Sequence, residues 1–308
     1  MPGWEQCFLD APVSVHRPSA DANPVDVPSF VPGMHYAGNF ARQWAAFRRT
    51  QLDSCNGTRI SGNLLEQILG HPLSWLEGKT VLEVGAGAGR FTEYLVRHAK
   101  AVVAIDLSEA ILVNAALNAE NLVAAQADLL HLPRMAVRFD LVFCRGVLQH
   151  TPDPVRGICC LHDCVGPEGL VVFDVYSPGR LGDMTPRMIW RRIIPRLYSF
   201  ESFEAFLDKH TGRLLELRKW SRRFLPGRSR RLLDYLLPVW DYDGILPLSR
   251  DQLIEWAKLD TLDAMFAVYD RPLSCDAVLK AIDQAGGRTV SYDRERNWFR
   301  TRSLRPDW

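Results

Sequence analysis

The chain has 308 residues, a length that suits one large domain or two. At 47% hydrophobic and 24% charged it has apolar mass for a sizeable core, which sets it apart from disordered and fibrous chains. A formal net charge of +1 excludes a protein built wholly around nucleic acid, and no apolar run reaches the ~18 residues that span a bilayer.

Residues 1–31 show neither a basic start nor an apolar signal core and are rich in Pro, Asp and Ser, so a flexible, unsecreted tail is expected. Residues 32–76 follow as a helical segment. In it "FARQWAAFRR" reads as amphipathic, either a lid that brings Tyr36, Gln43 and Trp44 over a ligand or a helix docked on the core.

From residue 77 strand and helix signals alternate. "KTVLEV" (79–84), "AVVAID" (101–106), "NLVAAQAD" (121–128), "FDLVFCRG" (139–146) and "GLVVFDVY" (169–176) read as strands. Between them "GRFTEYLVRHA" (89–99), "SEAILVNAALNA" (108–119, capped by Ser108) and "DPVRGICCLHDCV" (153–165) have helical spacing. Near-continuous apolar strands separated by helices imply an α/β fold, a doubly wound and mostly parallel sheet covered on both faces. Residues 177–273 interrupt this core as a helical insertion, a substrate cap. Its stretch 177–231 carries 14 Lys and Arg against five acids. Residues 274–308 then supply a last helix and an antiparallel β-hairpin that complete the sheet.

Seven cysteines without paired spacing indicate a reduced, cytoplasmic chain. "CCLHDC" (159–164) suggests a metal site, but on a helix Cys160 and Cys164 share a face from which His162 turns away, so no metal is expected.

The densest signal is "VLEVGAGAGRF" (81–91). Gly85, Gly87 and Gly89 alternate after the first strand, where a backbone without Cβ atoms lets a ligand approach. A dinucleotide fingerprint needs a small residue at position 90, and Arg90 stands there, which disfavours an oxidoreductase. Glu83, two residues before the glycines, suits a cationic amine or sulfonium. Asp106 ends the second strand, where an acid can grip two ribose hydroxyls. Asp128 ends the third and can accept from an exocyclic amine, while the Leu129 N–H can donate to a purine ring. Amine, ribose and adenine partners in that order describe S-adenosylmethionine.

The motifs "VLEVGAGAGRF", "VVAIDLS", "AQADLLHLP", "FDLVFCRGVLQHTPDP" and "GPEGLVVFDVY" together resemble the class I (seven-stranded, Rossmann-like) S-adenosylmethionine-dependent methyltransferases. The resemblance implies that Gly85, Gly87 and Gly89 surround the methionine part, with Glu83 nearby. By the same matching Asp106 holds the ribose, Leu107 flanks the adenine, and Asp128 with Leu129 reads its edge. Arg145 and Gly146 line the methionine side through backbone groups. "NFARQWAAFRRTQLDS" (39–54) and "EWAKLDTLDAMFAVYDRP" (255–272) resemble segments of a bacterial subgroup of small-molecule methyltransferases, of the type 11/12-like kind.

Methyl transfer from a sulfonium needs positioning above all, and a base only where the acceptor must lose a proton. His150 in "VLQHTPDP" is the candidate base, or else a residue that holds the following turn. Tyr269 and Asp270 can face the acceptor or cap a loop. The expected acceptor is a small or lipid- or sugar-linked metabolite, most readily methylated at oxygen. "RMIWRRIIPRLYSF" (187–200) mixes Arg with Trp, Ile and Leu, as a helix at a membrane surface does. "RKWSRRFLPGRSRRLLDYLL" (218–237) can meet phosphates, which makes an RNA methyltransferase docking through 177–231 the alternative. A solvated face explains both stretches equally well.

Overall fold

The computed structural model describes residues 3–16, 26–33, 48–178, 186–294 and 296–304. Its strands, in chain order, are β1 (Ser14–His16), β2 (Val27–Ser29), β3 (Thr80–Val84), β4 (Ala101–Asp106) and β5 (Leu122–Gln126). β6 (Phe139–Cys144), β7 (Val165–Asp174), β8 (Gly287–Asp293) and β9 (Trp298–Ser303) follow. They form one sheet in the order β1-β2-β5-β4-β3-β6-β7-β9-β8. The six strands from β2 to β7 in that order run parallel, while β1, β9 and β8 pair antiparallel with their neighbours.

The helices include α1 (Ile60–Leu69), α2 (Thr92–His98), α3 (Ala110–Ala115), α4 (Pro154–Cys164), α5 (Pro186–Leu197), α6 (Phe200–Phe224), α7 (Gly227–Leu236), α8 (Arg250–Phe266) and α9 (Cys275–Gln284). Alternation along each strand splits the core into two layers. Leu82, Val84, Val103 and Ile105 face α4 and α9 through Ile158, Leu161, Val278 and Ile282. Val81, Val102, Ala104 and Leu141 face α1, α2 and α3 through Leu65, Leu69, Leu95 and Ile111. With apolar side chains on both faces, a parallel sheet here is fully covered.

Among the described residues the sheet has nine strands where a seven-stranded one was expected. The two extra strands arise in the segment expected to be a flexible tail. Val27 is fully buried there, Ser29 Oγ donates to Gln126 Oε1 at 2.8 Å, and Cys7 and Phe8 pack into the core. Strands of three residues, one containing Pro28, leave no period-two pattern to read.

By contacts the chain divides into two compact units, Met1–Ala45, Ser61–Pro178 and Val268–Trp308 against Ala46–Ile60 and Gly179–Ala267. The second is helical, with its own core of Phe203, Leu207, Ala257 and Leu262. Residues 48–60, expected within the segment 32–76, thus associate with the insertion, where the Thr50 hydroxyl donates to Glu255. Tyr36, Gln43 and Trp44 lie outside the described residues.

Candidate active site

Strand order reverses at β3, whose neighbours β4 and β6 carry the chain in opposite directions, and ligands of such sheets bind outside the strands' carboxyl ends at that point. The chain leaves β3 through Gly85, Gly87 and Gly89, all with positive φ (75°, 51° and 104°). This turn is fastened to β4. The Gly85 and Ala86 N–H groups both donate to the Ile105 carbonyl (2.8 and 3.0 Å), and the Gly87 N–H donates to Asp106 Oδ2 at 2.8 Å. Asp106 Oδ1 accepts from the Ser108 N–H and hydroxyl (2.7 and 2.6 Å). A Cβ on Gly85 would lie 2.0 Å from Val147 Cγ2, so the backbone approaches its neighbour as closely as it can.

Beneath the turn Glu83 is 2% exposed. Its Oε2 accepts from the Thr92 hydroxyl at 2.6 Å, and Thr92 Oγ1 accepts in turn from Asn114 Nδ2 at 2.7 Å. Burial pushes the Glu83 carboxyl up to about 8; the Thr92 hydroxyl opposes this and the nearby Asp106 charge adds to it. A buried acid beside bare main chain is a group whose ionised form a cationic ammonium or sulfonium would favour.

The other expected residues lie at the same sheet edge. Asp128 follows β5 and caps the turn Leu129–His131, with Oδ1 accepting from the Leu130 N–H at 2.9 Å and Oδ2 2.8 Å from His131 Nδ1. Leu129 is buried, and the carbonyl of half-buried Leu107 accepts from Gln126 Nε2 at 2.9 Å. Arg145 and Gly146 follow β6, and both engage Asp174 at the end of β7. Arg145 Nη1 donates to Oδ2 at 2.8 Å and the Gly146 N–H to Oδ1 at 2.6 Å. The Gly146 amide is therefore turned to Asp174.

His150 is 8% exposed. Its Nδ1 lies 3.0 Å from the Tyr269 carbonyl, and its ring stands edge-on to Tyr176 with centroids 5.8 Å apart. Two further bonds tie the 269–273 loop to this edge, Arg271 N–H to the Gln149 carbonyl (2.8 Å) and Leu273 N–H to the Tyr176 carbonyl (2.9 Å). Asp174, Thr92 and Asn114 were not singled out in the sequence. Asp174 alone carried a readable signal, an acid at the carboxyl end of a strand, as in Asp106.

Residues 82–173 match the protein family described as a methyltransferase domain. By this match they are a methyltransferase domain. Similar to the methyltransferase domain are the ubiquinone biosynthesis O-methyltransferases of Coxiella burnetii, 36% identical over 106 residues (33% of this chain, 45% of that protein), and of Acinetobacter baylyi, 34% identical over 126 residues (37% and 53%). The chain spans about half the length of the curated relatives it matches. A solved S-adenosylmethionine-dependent methyltransferase of Mesorhizobium loti is 18% identical, with a TM-score of 0.41 over 74% of this chain and 92% of that one.

Proposed function

We propose that the chain transfers a methyl group from S-adenosylmethionine to an oxygen of a small, lipid- or sugar-linked acceptor. The supporting observation is the Gly85–Gly89 turn, locked to β4 through Asp106 over the buried Glu83. In this reading the turn receives the methionine part, Glu83 answers its charge, Asp106 takes the ribose hydroxyls, and Leu107, Asp128 and Leu129 hold the adenine. The carbonyls of Arg145 and Gly146 close the methionine side. The donor, when bound, supplies an electrophilic methyl on a good leaving group, so orienting the acceptor contributes most of the acceleration. The cytoplasm is the proposed compartment, in keeping with seven free thiols.

Oxygen is favoured because the relatives above are O-methyltransferases by name, and in this reading His150 is the base that takes the acceptor's proton. A carbonyl only accepts hydrogen bonds, so the Tyr269 carbonyl places an imidazole proton on Nδ1. Tyr269, half-buried on the same loop, lines the acceptor side.

The test follows release of labelled methyl from the donor to hydroxylated small molecules and to their lipid-linked counterparts. His150→Ala is expected to lower kcat about 10²-fold while leaving affinity for S-adenosylhomocysteine unchanged. Equal kcat in variant and wild type would assign His150 to the turn alone.

A further inference from the structure

The helical unit exposes large apolar side chains on two adjoining helices. On α6 these are Leu217, Trp220 and Phe224 (39, 49 and 61% exposed), spaced three and four residues apart and so on one stripe. On α7 they are Leu232, Tyr235 and Leu236 (62, 39 and 55% exposed), at the same kind of spacing. The two helices are tied together. Arg218, buried between them, donates to Asp234 Oδ1 at 2.7 Å and to the Leu237 carbonyl at 2.9 Å.

Charge decides what such a surface meets. Residues 217–236 contain seven Lys and Arg and one acid, Asp234, which Arg218 engages. Lys219 and Arg222 pair with Asp243 and Asp241. Arg223, Arg228 and Arg230 meet no carboxylate among the described residues. Arg223 instead lies over the Phe224 ring, 5.5 Å from its centroid. Exposed aromatic and aliphatic side chains interleaved with unpaired arginines match the headgroup layer of an anionic bilayer, where the apolar groups enter the acyl boundary and the cations meet phosphates. RNA would engage the arginines yet leave Leu232 and Leu236 in water.

We propose that the α6–α7 hairpin docks on anionic phospholipid membranes. This goes beyond the methyltransferase reading and does not depend on it. In residues 187–200, Ile194 is 3% exposed within the unit's core and Arg191 Nη1 donates to the Ala264 carbonyl at 3.1 Å, while Leu197 is 69% exposed.

Vesicle flotation of the full chain tests the proposal. The wild type should float with phosphatidylcholine vesicles containing phosphatidylglycerol and stay behind with phosphatidylcholine alone. Two variants, Trp220→Ser with Phe224→Ser and Arg223→Glu with Arg228→Glu and Arg230→Glu, should each lose at least about tenfold in partitioning while keeping the wild-type circular dichroism. Arg228→Glu alone, exposed at the start of α7, serves should the multiple variants not fold. Flotation that is absent, or unchanged in every folded variant, overturns the proposal. Two other results, each without flotation, overturn it as well: a dimer that Trp220→Ser with Phe224→Ser turns into a monomer, and salt-sensitive binding of RNA.

Discussion

Gly85→Ala is expected to destabilise the protein by about 2–4 kcal/mol and to abolish donor binding. Two costs add. At φ +75° any Cβ meets the left-handed penalty, and this one would also stand 2.0 Å from Val147 Cγ2, a contact that cannot persist. Val147 directly follows Gly146, so the displaced side chain disturbs the turn that Asp174 holds. Pairing the change with Val147→Ala separates the two costs. The double variant should recover the overpacking part and keep the conformational part, read from denaturant midpoints in a double-mutant cycle. A single variant as stable as the wild type would mean that the turn does not need its glycine.

Glu83→Gln is expected to make the protein more stable than wild type above pH 8 and to weaken donor binding. In the unfolded chain this acid ionises near its ordinary 4.5, whereas burial moves it to about 8 in the folded one. Between those values the native state holds a proton that the unfolded state has released. Stability is therefore full below the lower value and falls as pH rises, by about 1.4 kcal/mol per unit, until the folded carboxyl ionises. A glutamine keeps an acceptor for the Thr92 hydroxyl and never ionises, so its stability profile across this window is flatter. Binding a cationic donor to the wild type near neutral pH should also release a proton, seen as a binding enthalpy that varies with the buffer. Parallel pH profiles for variant and wild type would remove Glu83 from both roles.

What could be read in advance follows the strength of local signals. The strands of residues 79–176 are continuous apolar runs ended by glycine or an acid, and each lies within a few residues of its expected place, as does the terminal hairpin. β1 and β2 are too short to announce themselves, and their stability comes from tertiary partners such as Gln126. Asp106 could be recognised by its position, but not its double use. It already holds the Gly87 amide and Ser108, so the residue expected to grip ribose also shapes the loop around it. Asp174 stands in "GPEGLVVFDVY" at a strand's carboxyl end, but that position alone does not show that it fixes Arg145 and Gly146. In the insertion helical character was legible and orientation was not, since Arg, Leu and Trp at helical spacing fit an inward or an outward face equally. Only packing distinguishes buried Ile194 from exposed Phe224.

The most direct measurement is calorimetric titration of the full chain with S-adenosylmethionine and with S-adenosylhomocysteine, for wild type and Asp106→Ala. Binding of both by the wild type, weakened at least about tenfold in a folded Asp106→Ala, is the expected result. No heat from either compound with the wild type, together with an Asp106→Ala variant indistinguishable from it, would contradict a donor site at the Gly85–Gly89 turn.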